Sequence, residues 1–494
     1  MSRSAAKLIG QFYSPLDVVS ALVSWLQPQS DERLLDPSCG DGRFISRHEF
    51  SMGIDVSAES CAEAQIRAPR AKILQANFFS WAAQTQERFE CIAGNPPFIR
   101  YQNFAGNLRQ EALSLSATQG AKFSGLTSSW APFLVVASKL LKHNGRMAFI
   151  VPAEIGHATY AAPLLRSLTE HFERVLIVAV KDKIFPDLSA DTWLLYADGY
   201  GGKAQFVEFA VWDKFRPTLP SPQETKKITL TSLRLHGMRL RKFILPDEIL
   251  EYYAKLSEKP YVVDFGSVAH VGIGYVTGAN DFFHLRPSEV ASLRIPKSLL
   301  KVSVRKGEQL PNCAVDDNVV QAWLDDDQPV LLLDLSATTS IPRTVRQYLD
   351  SKAGRLAQRT YKCRNRSPWY AVPDVNTPDA FLSYMSGEKP NLVKNPAGCV
   401  CSNSVHAVRL RNGVLIDDLL MAWDHPLSNL SKEVEGHPLG GGLLKLEPRE
   451  ASRILLVING KTKRSFDYEL LQRGVNILRT WRHCAKPLTE VPTS

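Results

Sequence analysis

The stretch RLLDPSCGDGRF at residues 33–44 joins a short apolar run to Asp36 and then to two closely spaced glycines. Gly40 and Gly42 allow the backbone to approach a ligand closely, and the chain then turns toward a helix. The spacing is not the G-x-G-x-x-G of dinucleotide-binding turns, because Ile45 stands where the third glycine would be. The stretch therefore indicates a strand followed by a glycine-containing turn toward a helix, which is either a cofactor site of a different kind or only a tight turn.

Short apolar runs alternate with helical segments on both sides of this turn. Seven such runs lie between RLLDPS at 33–38 and DTWLLYA at 191–197, with helical segments such as 127–142 between them. Runs of this length are typical of strands buried on both faces of a mostly parallel sheet. The sequence predicts a doubly wound, Rossmann-like α/β domain whose ligands lie at the carboxyl ends of the strands.

A second domain is indicated after the stretch RPTLPSPQETKKI at residues 216–228. Its proline, serine and charge content predicts a linker. Beyond it the strand and turn signals are less regular, and no second series of alternating strands and helices follows. We therefore predict one domain over residues 1–225 and a mixed α+β domain over residues 226–494.

The charge is unevenly distributed along the chain. Residues 1–210 hold 20 basic and 20 acidic side chains, so 59 − 20 leaves 39 basic and 50 − 20 leaves 30 acidic ones beyond them. The whole net charge of +9 thus falls in the later part. Such an excess favours a polyanionic partner, nucleic acid first, over the alternative of a merely basic soluble surface.

The cysteine pattern and the hydropathy exclude several classes of protein. The eight cysteines form no C-x-x-C pair, which predicts free thiols and no metal site, although Cys399 and Cys401 lie close together. No stretch approaches the roughly 18 apolar residues of a membrane span, and no secretory signal core is present. We expect a cytoplasmic protein that does not enter the membrane.

Two further sites follow strand ends. Asp55 closes the run GIDV, where an acid can accept hydrogen bonds from ribose hydroxyls, or alternatively cap a helix. Asn95, Pro96, Pro97 and Phe98 end the run FECIAGNPPF. Proline restricts its own φ and the residue before it, so this tetrapeptide either fixes polar acceptors or is only a stiff turn. Together with the glycine turn, these residues lie along one predicted rim.

The combined motifs resemble the amino-group DNA methyltransferases that use S-adenosylmethionine (SAM). The resemblance is to restriction-modification adenine-N6 enzymes with an N-terminal catalytic domain and a C-terminal target-recognition domain. In the first half the matching stretches are GQFYSP at 10–15, DPSCGDGRF at 36–44, GIDV at 53–56, GNPPF at 94–98 and KIFPDLSADTWLLY at 183–196. In the second half they are VGIGYVTGANDFF at 271–283, KCRNRSPWYAVP at 362–373 and GGGLLKLEP at 440–448.

This resemblance implies roles for individual residues of the first domain. The catalytic residues are Asn95, Pro96, Pro97 and Phe98, and the target base stacks on Phe98 and Phe185. The implied cofactor-binding residues are Tyr13, Ser14, Pro15, Asp36, Pro37, Ser38, Cys39, Gly40, Asp55, Asn77, Phe78 and Asn95.

Asn77 departs from the family pattern. The family usually has an acid at this position, where it accepts a hydrogen bond from the adenine amino group of SAM. An asparagine carbonyl can also accept, so we expect altered cofactor contacts rather than loss of activity.

The chemistry of amino methylation explains the Asn-Pro-Pro-Phe motif. The lone pair of adenine N6 is delocalised into the ring. Acceptors for its two hydrogens, the Asn95 side-chain oxygen and the Pro96 carbonyl, would favour a pyramidal nitrogen aimed at the methyl group. No covalent intermediate is needed, but the base must leave the duplex to reach the site.

Basic and aromatic residues alternate in the stretch YKCRNRSPWY of the second domain. Such interleaving suits phosphate contacts and stacking, although a charged surface turn is the alternative. The predicted DNA-binding residues are Thr277, Asn280, Lys362, Arg364, Arg366, Trp369, Tyr370 and Asn403.

The sequence thus predicts a monomeric adenine-N6 methyltransferase acting on a specific duplex DNA sequence in a type II restriction-modification system. A cognate restriction endonuclease would act on the same site without a stable complex. Three alternatives remain open: methylation of RNA adenine or protein glutamine, N4-cytosine methylation, and a SAM-binding module without catalysis.

Overall fold

The computed structural model describes residues 13–186, 190–235, 237–458 and 466–484. The chain divides into two compact units, Met1–Ile244 and Leu245–Ser494.

The first unit contains one nine-stranded sheet with the order β3-β2-β1-β4-β5-β7-β6-β8-β9. Its strands are β1 (Leu34–Asp36), β2 (Ser51–Asp55), β3 (Lys72–Gln75), β4 (Phe89–Gly94), β5 (Leu141–Pro152), β6 (Phe172–Val180), β7 (Thr192–Tyr200), β8 (Phe206–Trp212) and β9 (Thr225–Thr229). The α-helices among the described residues are α1 (Leu16–Leu26), α2 (Ala58–Arg67), α3 (Phe78–Gln84), α4 (Gly106–Ala117), α5 (Trp130–Ser138), α6 (Ala161–His171) and α7 (Leu230–Leu235).

The strand order reverses at β1, which pairs in parallel with both β2 and β4. β5 continues the parallel series, whereas β7 is antiparallel to both of its neighbours, β5 and β6. All seven apolar runs form strands, so the predicted doubly wound α/β fold is confirmed. The predicted helical segment 127–142 is helical only over Trp130–Ser138, because β5 begins at Leu141.

The interpretation of residues 216–228 as a linker is wrong for its last part. β9 pairs antiparallel with β8, and Ile228 is buried between exposed neighbours, as expected for a half-buried edge strand. The proline and charge content of the stretch conceals this alternation. The first compact unit therefore continues past residue 225, where the sequence analysis placed the boundary, to Ile244.

The second unit is mixed α+β, as predicted, and its described residues form four small sheets. Its strands are β10 (Val262–Asp264), β11 (Ala269–Ile273), β12 (His284–Leu285), β13 (Leu300–Val304), β14 (Leu331–Leu333), β15 (Ala380–Ser383), β16 (Met385–Ser386), β17 (Leu392–Lys394), β18 (Val400–Cys401), β19 (Val405–Leu410), β20 (His437–Leu439), β21 (Leu443–Lys445) and β22 (Leu455–Val457). Its described α-helices are α8 (Asp247–Ser257), α9 (Phe265–Val268), α10 (Asn280–Phe283), α11 (Pro287–Leu293), α12 (Asp317–Asp325), α13 (Arg343–Leu349), α14 (Lys352–Gln358), α15 (Tyr361–Arg364), α16 (Ile416–Asp424), α17 (Pro426–Glu435), α18 (Pro448–Ala451) and α19 (Tyr468–Trp481).

Candidate cofactor and substrate site

A cavity of about 290 Å³ lies at the carboxyl ends of β1, β2, β3 and β4. Its size approaches that of small-molecule sites, and its position is the one where open α/β sheets bind ligands. The cavity is lined by most of the predicted cofactor-binding residues, namely Tyr13, Ser14, Asp36, Pro37, Ser38, Cys39, Gly40, Asp55, Asn77, Phe78 and Asn95.

The glycine loop has the conformation that the sequence requires. Gly40 and Gly42 both have positive φ, +51° and +84°. A Cβ on Gly42 would lie 2.9 Å from the Ala64 backbone in α2, so only glycine lets the loop and this helix pack together. The Cys39 amide donates to the Ile54 carbonyl at 2.9 Å and ties the loop to β2.

Asp55 links this loop to the start of the next helix. Its Oδ2 accepts from the Gly40 amide at 3.0 Å, and its Oδ1 accepts from the Ser57 amide at 2.9 Å. The N-cap of α2 is Ser57, whose side chain accepts from the Ser60 amide at 3.2 Å. Asp55 is therefore not itself the helix cap. Its predicted contact with ribose hydroxyls stays a prediction.

Three carboxyl groups, those of Asp36, Asp41 and Asp55, line the cavity. Burial, together with the nearby Asp55 and Asp41 carboxylates, raises the pKa of Asp36 to about 8, although the Ser38 amide donates to its Oδ1 at 3.0 Å. Asp41 accepts from Arg43 at 3.0 Å and also pairs with Arg67. A cationic ligand bound beside Asp36 would lower the pKa of this carboxyl group, because it would favour the carboxylate form.

Arg43, which the sequence analysis did not single out, holds the start of the described chain over the cavity. Its guanidinium donates to the Ser14 carbonyl at 2.6 Å and lies 5.3 Å from the centre of the Tyr13 ring. Arg43 lies within the glycine-containing stretch 33–44, but nothing in the residues around it indicates a contact with Ser14, which is 29 positions away.

Two serines hold the Asn-Pro-Pro-Phe loop. Ser38 Oγ donates to the Asn95 carbonyl at 3.1 Å. Ser129 Oγ donates to the Pro97 carbonyl and accepts from the Ile99 amide at 3.0 Å, while the Ser129 amide donates to the Ile99 carbonyl at 3.0 Å. The carbonyls on both sides of Pro96 are therefore fixed by hydroxyl groups.

Aromatic side chains form one wall of the cavity. Phe78, Phe79 and Phe133 pack at centroid distances of 4.5 to 5.9 Å, and Phe104 lies 6.4 Å from Phe79. All four rings line the cavity, although the sequence analysis singled out only Phe78. An apolar wall of aromatic rings offers a face for a planar base.

Asn77 occupies a position with two functions. Its Oδ1 accepts from the amides of Phe79 at 3.0 Å and Ser80 at 3.3 Å, so it caps α3. The side chain also lines the cavity. Because the oxygen is used by the helix, the polar group that the side chain adds to the cavity is its amide nitrogen, which is a donor.

The described residues that line the cavity do not include four of the predicted catalytic, stacking and cofactor-binding residues: Pro15, Pro96, Phe98 and Phe185. Pro15 occupies the N-cap position of α1. Phe185 is buried in a hydrophobic cluster, and the half-buried Phe98 packs against the same cluster. Residues 187–189, which follow Phe185 in its matching stretch, and residues 10–12 of GQFYSP lie outside the described part of the chain. Base stacking on Phe98 and Phe185 stays a prediction.

The predicted DNA-binding stretches of the second unit converge. The Arg366 guanidinium donates to the carbonyls of Val276 and Thr277, the latter at 2.7 Å. Cys363 Sγ donates to the same Thr277 carbonyl at 3.4 Å, and the Asn403 amide donates to the Tyr275 carbonyl at 2.9 Å. Three stretches far apart in sequence thus form one loop cluster.

Within this cluster the side chains differ in accessibility. Lys362, Arg364 and Asn403 are exposed. Thr277 is buried, and its hydroxyl donates to Asn280 Oδ1. Trp369 and Tyr370 are half-buried and pack against a hydrophobic cluster, where Trp369 lies 5.7 Å from Phe282. The DNA contacts predicted for this cluster stay predictions. Within the unit, Arg366 forms hydrogen bonds and Trp369 forms packing contacts.

Other features of the described residues bear on the class of protein. No helix among them is long and apolar enough to cross a membrane. Nor does any group of three or more histidine, cysteine or acidic side chains within the described ranges have the arrangement of a metal site. Cys399 and Cys401 are buried thiols.

Fold and cavity together define a Rossmann-like ligand-binding domain. Three family models match successive parts of the chain: N-6 DNA Methylase over residues 1–56, Eco57I restriction-modification methylase over 51–185, and the C-terminal domain of Type II methyltransferase M.Eco57I over 238–486. The chain belongs to the restriction-modification DNA methyltransferases that carry this C-terminal specificity domain.

Individual relatives span both units. Type II methyltransferase M.AccI of Acinetobacter calcoaceticus is 20% identical, over 94% of this chain and 88% of its own. Type II methyltransferase M.XamI of Xanthomonas campestris pv. amaranthicola is 23% identical, over 90% of this chain and 84% of its own. The Type IIL restriction-modification enzyme MmeI, solved in complex with DNA, shares the fold with a TM-score of 0.54 at 13% identity, over 92% of this chain and 69% of that one.

Proposed function

We propose that this protein transfers a methyl group from SAM to the N6 amino group of an adenine in a specific duplex DNA sequence, as the modification enzyme of a type II restriction-modification system. The first unit would hold the catalytic site, and the second would recognise the target. The observation that carries the proposal is the Asn95-Pro96-Pro97 segment, held by Ser38 and Ser129 at the edge of a cavity.

The cavity residues fit SAM. The Asp55 carboxylate lies at the end of β2, where ribose hydroxyls would meet it, and Phe78 offers an apolar face for the adenine. Asp36 also lines the cavity, and a positive charge bound beside it would favour its carboxylate form; SAM carries both an ammonium and a sulfonium group. When bound, SAM supplies an electrophilic methyl group.

The reaction assigns specific tasks to the Asn-Pro-Pro-Phe loop. Asn95 Oδ1 and the Pro96 carbonyl would accept the two hydrogens of the target amino group and orient its lone pair. Since Ser38 and Ser129 fix the neighbouring carbonyls, these acceptors need little reorganisation during the reaction. The target adenine would be flipped out of the duplex, with Phe98 and Phe185 as the stacking candidates.

The partners follow from the same proposal. Duplex DNA is the substrate, and a cognate endonuclease would recognise the same site without a stable complex. The names of M.AccI and M.XamI place those relatives among type II methyltransferases, which supports this assignment.

Replacing Ser129 with alanine should lower kcat for methyl transfer about tenfold, because two hydrogen bonds to the catalytic loop are lost. SAM affinity, measured by calorimetry, should stay within about twofold, and Ser129→Thr should restore part of the rate. Ser129 immediately precedes α5, and the matched control is Ser138→Ala at the end of that helix, whose hydroxyl donates to the Val135 carbonyl within it. Equal losses in both variants would assign the effect to helix stability instead.

Asn77→Asp should lower the Kd for SAM about five- to tenfold. One carboxylate oxygen would keep the cap of α3, and the second would accept from the cofactor amino group. Asn77→Ser is the control, because serine caps the helix without adding that acceptor. Unchanged or weaker SAM binding by the aspartate variant in calorimetry would contradict this assignment.

The proposed function is tested by transfer of tritium from labelled SAM to mixed-sequence DNA, followed by nucleoside analysis. Label in N6-methyldeoxyadenosine is the expected result. Label in N4-methyldeoxycytidine would correct the base, and label only in RNA or protein would correct the substrate class. SAM binding without transfer to any of them would indicate a module that has lost catalysis.

A further inference from the structure

Three consecutive short helices of the second unit, α13, α14 and α15, carry a dense run of basic residues. Residues 343–364 contain seven basic side chains and one acidic side chain, Asp350. All seven basic side chains are exposed. We name them the basic helix surface: Arg343, Arg346, Lys352, Arg355, Arg359, Lys362 and Arg364.

The charges of this surface are not neutralised by the protein. Within the described ranges, none of the seven forms an ion pair with a carboxylate within 4.0 Å. Some basic side chains elsewhere in the described chain do form such pairs, as Lys301 does with Asp334 and Arg174 with Glu208. Arg355 donates only to a backbone carbonyl, that of Asp350, at 2.6 Å. Like charges spaced three or four residues apart repel each other, so this arrangement opposes local folding.

Packing on the opposite side keeps these helices in place. Val345, Leu349, Ala357 and Cys363 are buried in one hydrophobic cluster. Tyr348 on α13 stacks on Phe282 with ring centres 4.6 Å apart, and its hydroxyl donates to the Phe282 carbonyl at 2.8 Å.

The junction between α13 and α14 is equally tight. A Cβ on Gly354 would lie 1.9 Å from the Leu349 carbonyl oxygen, so the two helices meet in close contact. The unit thus presents fixed and mutually repelling cations to solvent, which is the charge pattern of a surface that binds a polyanion.

We propose that the basic helix surface binds the sugar-phosphate backbone of duplex DNA without reading its sequence. The inference rests on the proposed function, which supplies the duplex, and it adds five basic residues to Lys362 and Arg364 of the predicted contacts. Tyr361 supports nucleic acid over other polyanions. It is 67% exposed, and the Arg364 guanidinium lies 5.4 Å from its ring centre, as in surfaces that place aromatic rings beside phosphate-binding cations.

The test measures affinity for a fluorescent duplex of random sequence, with the full chain and without SAM, between about 50 and 200 mM salt. The variant is Arg355→Gln/Arg359→Gln/Lys362→Gln. It should bind at least about tenfold more weakly at the lower salt, and the slope of log K against log salt should fall in magnitude by about 2 to 3. The variant with Arg355→Lys and Arg359→Lys keeps the charges and should retain the wild-type slope.

The matched control is Lys255→Gln/Arg409→Gln/Arg449→Gln, which removes the same charges from exposed positions of the same unit. A loss of affinity and slope in this control equal to that of the test variant would overturn the proposal, since net charge alone would then explain it. Wild-type affinity in the test variant would also overturn it. If the wild-type chain binds no duplex at all, both the proposed function and the binding of DNA by this surface would be contradicted.

Discussion

Asn95→Ala is expected to lower kcat for methyl transfer about 10²- to 10³-fold, the effect of removing one preorganised hydrogen-bonding group from a reacting centre. The side chain lies at the cavity edge on a loop that Ser38 holds through the Asn95 carbonyl, so truncation should leave the loop in place. The measurement is the single-turnover rate of tritium transfer at saturating SAM and DNA. Calorimetry should show a much smaller change in SAM affinity than in rate.

Two further variants make this result specific. Asn95→Asp keeps an acceptor oxygen and replaces the amide nitrogen with a second oxygen. Its rate should lie between those of the wild type and the alanine variant. Asn103→Ala removes an exposed asparagine from the segment that follows the loop and should leave the rate unchanged. A rate for Asn95→Ala within tenfold of wild type would remove this side chain from the proposed chemistry.

Asp55→Ala should raise the Kd for SAM about 100-fold. The carboxylate holds the Gly40 amide of the cofactor loop and is proposed to accept from both ribose hydroxyls, and hydrogen bonds to a charged group contribute about 1.5 to 3 kcal/mol. Asp55→Asn keeps one acceptor and should bind with intermediate affinity. Calorimetry measures both.

A cofactor analogue separates the two contributions of Asp55. An analogue that lacks the ribose hydroxyls cannot contact Asp55 through them. For this analogue, Asp55→Ala should therefore raise the Kd by a smaller factor than it does for SAM, because only the effect on the glycine loop remains. The same penalty for SAM and for the analogue would mean that Asp55 acts on the loop alone. Asp31→Ala, at an exposed position, is the matched control.

The elements that the sequence predicted are those with strong local signals. The seven apolar runs became strands, and the residues of the glycine turn came together with Asp55 because parallel strands end at one edge of the sheet. β9 was missed because Ile228 is its only buried residue and prolines stand close by. One buried side chain does not make a recognisable alternation.

Contacts between distant residues left no such signal. Ser129 reaches the Pro97 carbonyl across 32 positions, and nothing in the residues around it marks a brace for another loop. Arg366 is predicted to contact DNA, and its guanidinium also donates to backbone carbonyls 89 and 90 positions away. A basic residue beside aromatics has the same sequence pattern whether its partner is a phosphate or a carbonyl.

The pairing of β9 with β8 determines where the first unit can be separated from the second. A fragment that stops at residue 225 would lose the edge strand and leave the β8 backbone as an open, unpaired edge, which is a template for aggregation. A fragment that runs to residue 244 keeps that edge covered and the compact unit whole. The last part of the charge-rich stretch that resembles a linker therefore forms the edge strand that covers the β8 backbone.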